Sequence, residues 1–270
     1  MKRIILLLPF LILLVSCQQS TKQVQLDWSE TQALPIAISN NAVASAMVDG
    51  DPFLYTFLGL KKGKTYQDES DFAARYNVKT GVWEEIPGVP DGIGRLASTA
   101  ENANGHIYIF GGYTVAKDGT EVSTKQVFKY NPTANSYEEV ANMLLPVEDA
   151  VSLVYQDRYI YIVSGWNTTN NVSNVQVYDT QTNSWKHATP YPGPPVFGHS
   201  GGIVGNTMIL SDGVQAIVDE GEQIFMMSPG SIKGEIDPQD PTVIHWTRLK
   251  QHPGKARYRM GAIGVSSPVE

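Results

Sequence analysis

The sequence predicts an all-β protein assembled from repeated four-stranded units. Three observations carry this prediction. Short apolar runs ending in glycine recur at a fixed interval. An aromatic–turn–aromatic cassette follows each of them. The composition, 24 Gly and 16 Pro in 270 residues, is turn-rich and has no long run of helix formers, which excludes a helical bundle or coiled coil. Hydrophobic residues at 42% and charged residues at 17% support a packed core and exclude wholesale disorder.

The first element is a leader. Met1-Lys2-Arg3 is a short basic start, and Ile4 to Val15 is an apolar run interrupted only by Pro9, too short to cross a bilayer. It ends in Leu14-Val15-Ser16-Cys17, which resembles a bacterial lipobox. The resemblance implies a lipoprotein signal peptide over 1–16, with lipid attached at Cys17. Residues 17–25 then carry the acylated cysteine and a polar tether, and acyl chains anchor in proportion to buried methylenes. The implied location is a bacterial membrane-anchored lipoprotein on the periplasmic or cell-surface side. Gln18 after the cysteine points to the outer membrane in a Gram-negative cell. Cys17 is the one cysteine, so no internal disulfide or cysteine metal cluster can form.

The repeat occupies 26–270. Tyr76-NVKTGV-Trp83, Tyr130-NPTANS-Tyr137 and Tyr178-DTQTNS-Trp185 align without gaps. Apolar strands ending at Gly59, Gly112 and Gly165 precede them, 53 residues apart. A degenerate fourth copy has Gly213 and Trp246. Each glycine lets a strand end against a neighbour, the hexad turns the chain, and the flanking aromatics pack between sheets. One four-stranded unit cannot bury both faces, so units must stack.

These glycines, aromatic spacings and trailing prolines (Pro87, Pro146, Pro190) resemble kelch repeats. The resemblance implies a kelch-type β-propeller of four four-stranded blades over about 39–91, 92–146, 147–195 and 196–254, plus a partial fifth at 255–270, forming an incomplete ring. Residues 25–36, with Asp27-Trp28 and Leu34-Pro35, resemble the last strand of a blade. ARYRMGAIGVSSPVE resembles the opening of a fifth. Because kelch rings generally have six or seven blades, a chain truncated in its fifth blade is expected.

The same resemblance nominates functional positions, because loops leading into inner strands and loops after the strand-final glycines share one face. The lead-ins carry Arg95, Glu148, Asp149 and His199, then Arg257 and Arg259; Leu60, Tyr113, Trp166 and Val214 follow the glycines. Glu148, Asp149 and His199 are the candidate acid–base groups. Arg95, Arg257 and Arg259 are candidate anion ligands, with Tyr113 and Trp166 as stacking platforms. Tyr76, Trp83, Tyr130, Tyr137, Tyr178, Trp185 and Trp246 read as core.

No metal or other cofactor is expected, because the five histidines lie in different repeat contexts without HxH or HExxH spacing. The balance of 20 basic to 27 acidic residues, −9 once Lys2 and Arg3 leave with the leader, disfavours nucleic acid as a partner. The expected role is a membrane-anchored module binding a protein or a carbohydrate at its loop face. The alternative is an isomerase resembling the kelch mutarotases and epimerases of periplasmic sialic acid. A copper-radical oxidase of kelch type needs a tyrosine cross-linked to cysteine, and Cys17 is taken by lipid.

Overall fold

The computed structural model describes residues 28–266. The expected signal peptide, the expected lipid site at Cys17 and the expected tether lie outside the described residues, as do residues 267–270.

Four antiparallel sheets follow one another along the chain, each with its strands in sequence order. Blade one contains Ala42–Val48, Asp51–Phe57, Ala73–Asn77 and Val82–Ile86. Blade two contains Thr99–Ala103, His106–Phe110, Val127–Asn131 and Ser136–Val140. Blade three contains Val151–Tyr155, Tyr159–Val163, Val175–Asp179 and Ser184–Ala188. Blade four contains Ser200–Val204, Thr207–Ser211, Ser231–Ile236 and Ile244–Arg248.

The blades stack face to face because side chains alternate along a strand. In blade two, Ile107 and Ile109 pack toward Tyr55 and Phe57 of blade one. Tyr108 and Phe110 turn the other way, toward Ile160, Ile162 and Tyr178 of blade three. Tyr161 and Val163 then meet Met208 and Leu210 of blade four. The first strands of successive blades adjoin one another, so they lie innermost. This is a β-propeller arrangement.

The cassettes are hairpins whose aromatics stand opposite each other in register. Their ring centroids lie 5.1, 4.9 and 5.0 Å apart in blades one to three. In blade four Gly234 stands opposite Trp246, and a Cβ there would strike the indole. The second aromatic of each cassette also ties its blade to the chain before it. Trp83 Nε1 donates to the Gln32 carbonyl (3.0 Å), Tyr137 OH to Pro87 (2.8 Å), Trp185 Nε1 to Ala141 (2.8 Å) and Trp246 Nε1 to Thr189 (3.3 Å). Each acceptor from blade two on lies four residues after the preceding blade's aromatic. Gln32 likewise lies four residues after Trp28.

One expectation at the ends is corrected for the described residues: the last strand of a blade expected over 25–36 does not form over 28–36. No strand forms over 255–266 either. A strand needs a hydrogen-bonded neighbour, and neither segment has one alongside it in a sheet. The later segment nevertheless runs beside the inner strand of blade four: a Cβ on Gly202 would come 2.6 Å from the Gly264 nitrogen.

Hydrogen bonds between lead-ins set the radial order. The Ala97 N–H donates to the Asn40 carbonyl (3.0 Å), Asp149 to Ala97 (3.1 Å), Gly198 to Asp149 (2.8 Å) and Arg259 to Gly198 (2.8 Å). All five residues have left-handed backbone, with φ from 46° to 59°. The N–H groups of Gly59, Gly112, Gly165 and Gly213 donate to the carbonyls of Arg95, Val147, Val196 and Arg257, each in the next lead-in. At Gly112 φ is +89°, and a Cβ would lie 2.6 Å from the Leu96 carbonyl and collide with Ser98. Gly112→Ala is therefore expected to cost at least about 2 kcal/mol, read as a lowered urea midpoint.

Candidate functional site

The lead-ins and the segments after the glycines meet on one face. Single bridges join Leu96 to Tyr113, Glu148 to Trp166 and Phe197 to Val214. Beyond the glycines the chain forms two-stranded ribbons: Tyr113–Val115 with Glu121–Ser123, Trp166–Asn167 with Asn170–Asn171, and Val214–Asp219 with Glu222–Met227. Reciprocal bonds between Ser123 and Thr168 link the first two ribbons, and Asn171 links the second to the third.

Glu148 is the most perturbed acid on this face. It is 5% exposed, and Oε2 has no hydrogen-bond partner. Burial, then the charges of Asp149 and Glu121, push its pKa up to about 9, against the pull of Arg259. At neutral pH it is a carboxylic acid able to donate a proton. Tyr113 stands in the same field: burial, then Glu121 and Glu148, raise its phenol to about 12.

Asp149 is committed elsewhere. Its carboxylate accepts from Tyr258 OH (3.0 Å) and from Arg259 Nε (3.0 Å), and Arg259 Nη1 reaches Asn40 Oδ1 (2.9 Å). That partnership raises the Arg259 pKa despite burial. The Arg259 side chain thus joins the last lead-in residue to the first, across the end of the inner strands where the chain enters them.

Trp166 belongs to an aromatic cluster. Its ring lies 5.4 Å from Phe197 and 5.9 Å from Phe225, and Phe197 lies 5.6 Å from Tyr258. Phe225 is 59% exposed, so the cluster presents a face to solvent.

The structure thus brings Tyr113, Glu148, Asp149, Trp166 and Arg259 together. It does not bring Arg95 or His199 with them. Arg95 is 2% exposed, pairs with Asp91 (2.8 Å) and donates to the Gly111 carbonyl (2.6 Å), inside blade two. His199 is buried, and burial pushes its pKa down to about 4 against a backbone hydrogen bond at Val163. Its ring packs 6.2 Å from Tyr191 of the core between blades three and four. Arg257 is exposed, its backbone held by Asp212 and Gly213. Sequence reasoning missed Asn40, Phe197, Phe225 and Tyr258. Phe225 sits in the excursion between Gly213 and Trp246, where the repeat offers no counterpart. Among the described residues no three His, Cys, Asp or Glu side chains converge as metal ligands.

Comparison with known proteins fits this architecture. Residues 94–144 and 150–190 match the kelch motif. The chain is 30% identical over 139 residues to Kelch-like protein 15 of Gallus gallus, covering 50% of this chain and 27% of that one. It is 27% identical over 183 residues to the Homo sapiens protein of that name, covering 67% and 29%. Kelch-like protein terF of Aspergillus terreus is 25% identical over 235 residues, covering 84% and 47%. The chain spans less than a third of the length of the Kelch-like 15 proteins. Among solved structures, YjhT superposes with a TM-score of 0.63 at 15% identity, over 82% of this chain and 67% of that one. The chain carries kelch repeats, and its fold is the kelch-type β-propeller.

Proposed function

We propose that this propeller is a binding module held to a membrane through lipid on Cys17, with its loop face taking a carbohydrate or a carbohydrate-bearing protein. One observation carries the reading: the solvent-facing aromatic cluster of Trp166, Phe197 and Phe225 lies beside the neutral acid Glu148. Flat aromatic faces pack on sugar C–H surfaces, and a neutral carboxyl and a phenol hydrogen-bond to hydroxyls. Because Arg259 is held by Asp149, this pairing supports hydroxyl recognition over carboxylate capture.

A glycan array probed with the full chain and with Trp166→Ala tests the reading. The parent is expected to retain a defined set of glycans, with signal falling at least tenfold in the variant. Equal retention by both proteins, or none by the parent, defeats it.

Glu148 also supports a second reading, a sugar mutarotase, in which the bound sugar uncovers this buried neutral acid so that it protonates a ring oxygen. NMR exchange of free sialic acid anomers tests it. Acceleration that Glu148→Gln abolishes supports catalysis, and an unchanged exchange rate discards it for that sugar.

A further inference from the structure

A cleft of about 980 Å³ runs along the inner strands, reaching Trp83 and Leu34 beside blade one and bounded by residues 262–264. It extends from Asn41, near the start of the first inner strand, to Gly105 and Asp157 at the opposite end. That volume is ample for a small organic ligand. We propose that this cleft is a binding site for a small organic cation, an alkyl amine, with Glu101 as its counter-ion.

The charge of the lining carries the inference. Among the described residues the cleft is walled by two carboxylates, Glu101 and Asp157, and by no Lys, Arg or His. Asp157 is tied to the Asn104 N–H (2.7 Å). Glu101 stands midway along the inner strand of blade two, where Ser152 Oγ from blade three donates to its Oε1 (2.7 Å). Ser152 is in turn hydrogen-bonded to Thr99, so a hydroxyl chain from two blades converges on one carboxyl oxygen. Among the described residues Glu101 has no cationic partner. Met47, Leu153 and Ile203 supply apolar walls for an alkyl body. A recessed carboxyl in such walls excludes anions and gains most from a ligand that brings a positive charge and little else to hydrate.

The protonation of Glu101 makes the site pH-dependent. Burial raises its pKa to about 7, with the Ser152 hydroxyl acting against the rise. The inner strands of blades one and four bring no titratable side chain. That of blade three brings Tyr155, and Tyr108 stands opposite Glu101 in its own sheet. None of these contributes to the shift. The carboxylate therefore prevails above pH 7, and the neutral acid prevails below it.

Calorimetric titration of the full chain tests the proposal with three probes of matched length: 1,4-diaminobutane, 1,4-butanediol and butyrate. The diamine alone is expected to bind at pH 8, at least tenfold more weakly at pH 5.5. Glu101→Gln is expected to weaken it at least tenfold at pH 8 with an unchanged circular dichroism spectrum. Equal binding of the diol, equal affinity in Glu101→Gln, or no diamine binding at either pH overturns the proposal. Should the variant not fold, the pH profile of the unmodified chain decides: an affinity that steps near pH 7 supports Glu101, and a flat profile refutes it. Because the loop-face aromatics take no part, Trp166→Ala should bind the diamine as the parent does.

Discussion

Glu148→Gln is expected to stabilise the protein progressively above pH 5 and to leave it almost unchanged at pH 4. In the unfolded chain a glutamate ionises near its ordinary pKa of about 4.3. In the folded protein burial and two neighbouring carboxylates hold Glu148 protonated up to about 9. Between those values the unfolded state releases a proton that the folded state retains, so stability is lost as pH rises from about 4.3 to about 9 and levels off beyond. Each unit of pKa difference corresponds to about 1.4 kcal/mol, so the loss reaches several kcal/mol by pH 9. Glutamine copies the shape of the neutral acid and cannot ionise. Urea unfolding at pH 4, 7 and 9 should show parent and variant diverging with pH. Parallel profiles would show that Glu148 ionises in place.

Arg95→Ala is expected to cost about 3–5 kcal/mol, the scale for breaking a buried ion pair by removing one partner. The guanidinium lies within blade two, Nε on Asp91 (2.8 Å), Nη1 on the carbonyls of Gly111 (2.6 Å) and Gln126 (3.2 Å), and its plane 5.4 Å from the Phe128 ring. Alanine would leave the largely buried Asp91 carboxylate without a counter-ion, two carbonyls without a donor, and a cavity against Phe128. Asp91→Asn with Arg95→Met should cost much less than the sum of the single changes, since the penalty belongs to the orphaned charge. Denaturant midpoints of the four proteins measure this coupling. A stable Arg95→Ala protein would show that the pair contributes nothing.

Much of the propeller was legible in the sequence because its repeat is written in residues with distinct chemistry. The glycines at 59, 112, 165 and 213 sit where Cβ would collide with the adjoining lead-in, and the cassette aromatics stand opposite each other in register. The lead-ins were less legible. Asn40, Ala97, Asp149, Gly198 and Arg259 share a backbone conformation and no side-chain type. Alanine and arginine give no signal for a left-handed residue, as asparagine and glycine do.

The nominated residues stand at different offsets from that left-handed position. Arg95 lies two positions before the left-handed residue of its lead-in and His199 one position after, and both turn into the blade walls. Glu148 lies one position before and Asp149 at the residue itself, and these meet Tyr258 and Arg259 from the last lead-in. Arg257 holds the same offset as Arg95 and is exposed, so a residue's place in its lead-in was readable, while its burial depended on what packs around it.

The chain of hydrogen bonds from Asn40 through Ala97, Asp149 and Gly198 to Arg259 is made by main-chain atoms alone. The residues just before each anchor are held as well, by the N–H groups of Gly59, Gly112, Gly165 and Gly213 and by the bridges at Leu96, Glu148 and Phe197, so only chain outside these bonds can lengthen, shorten or change composition without disturbing the sheets. New recognition surfaces can therefore arise there by insertion while the architecture beneath stays constant.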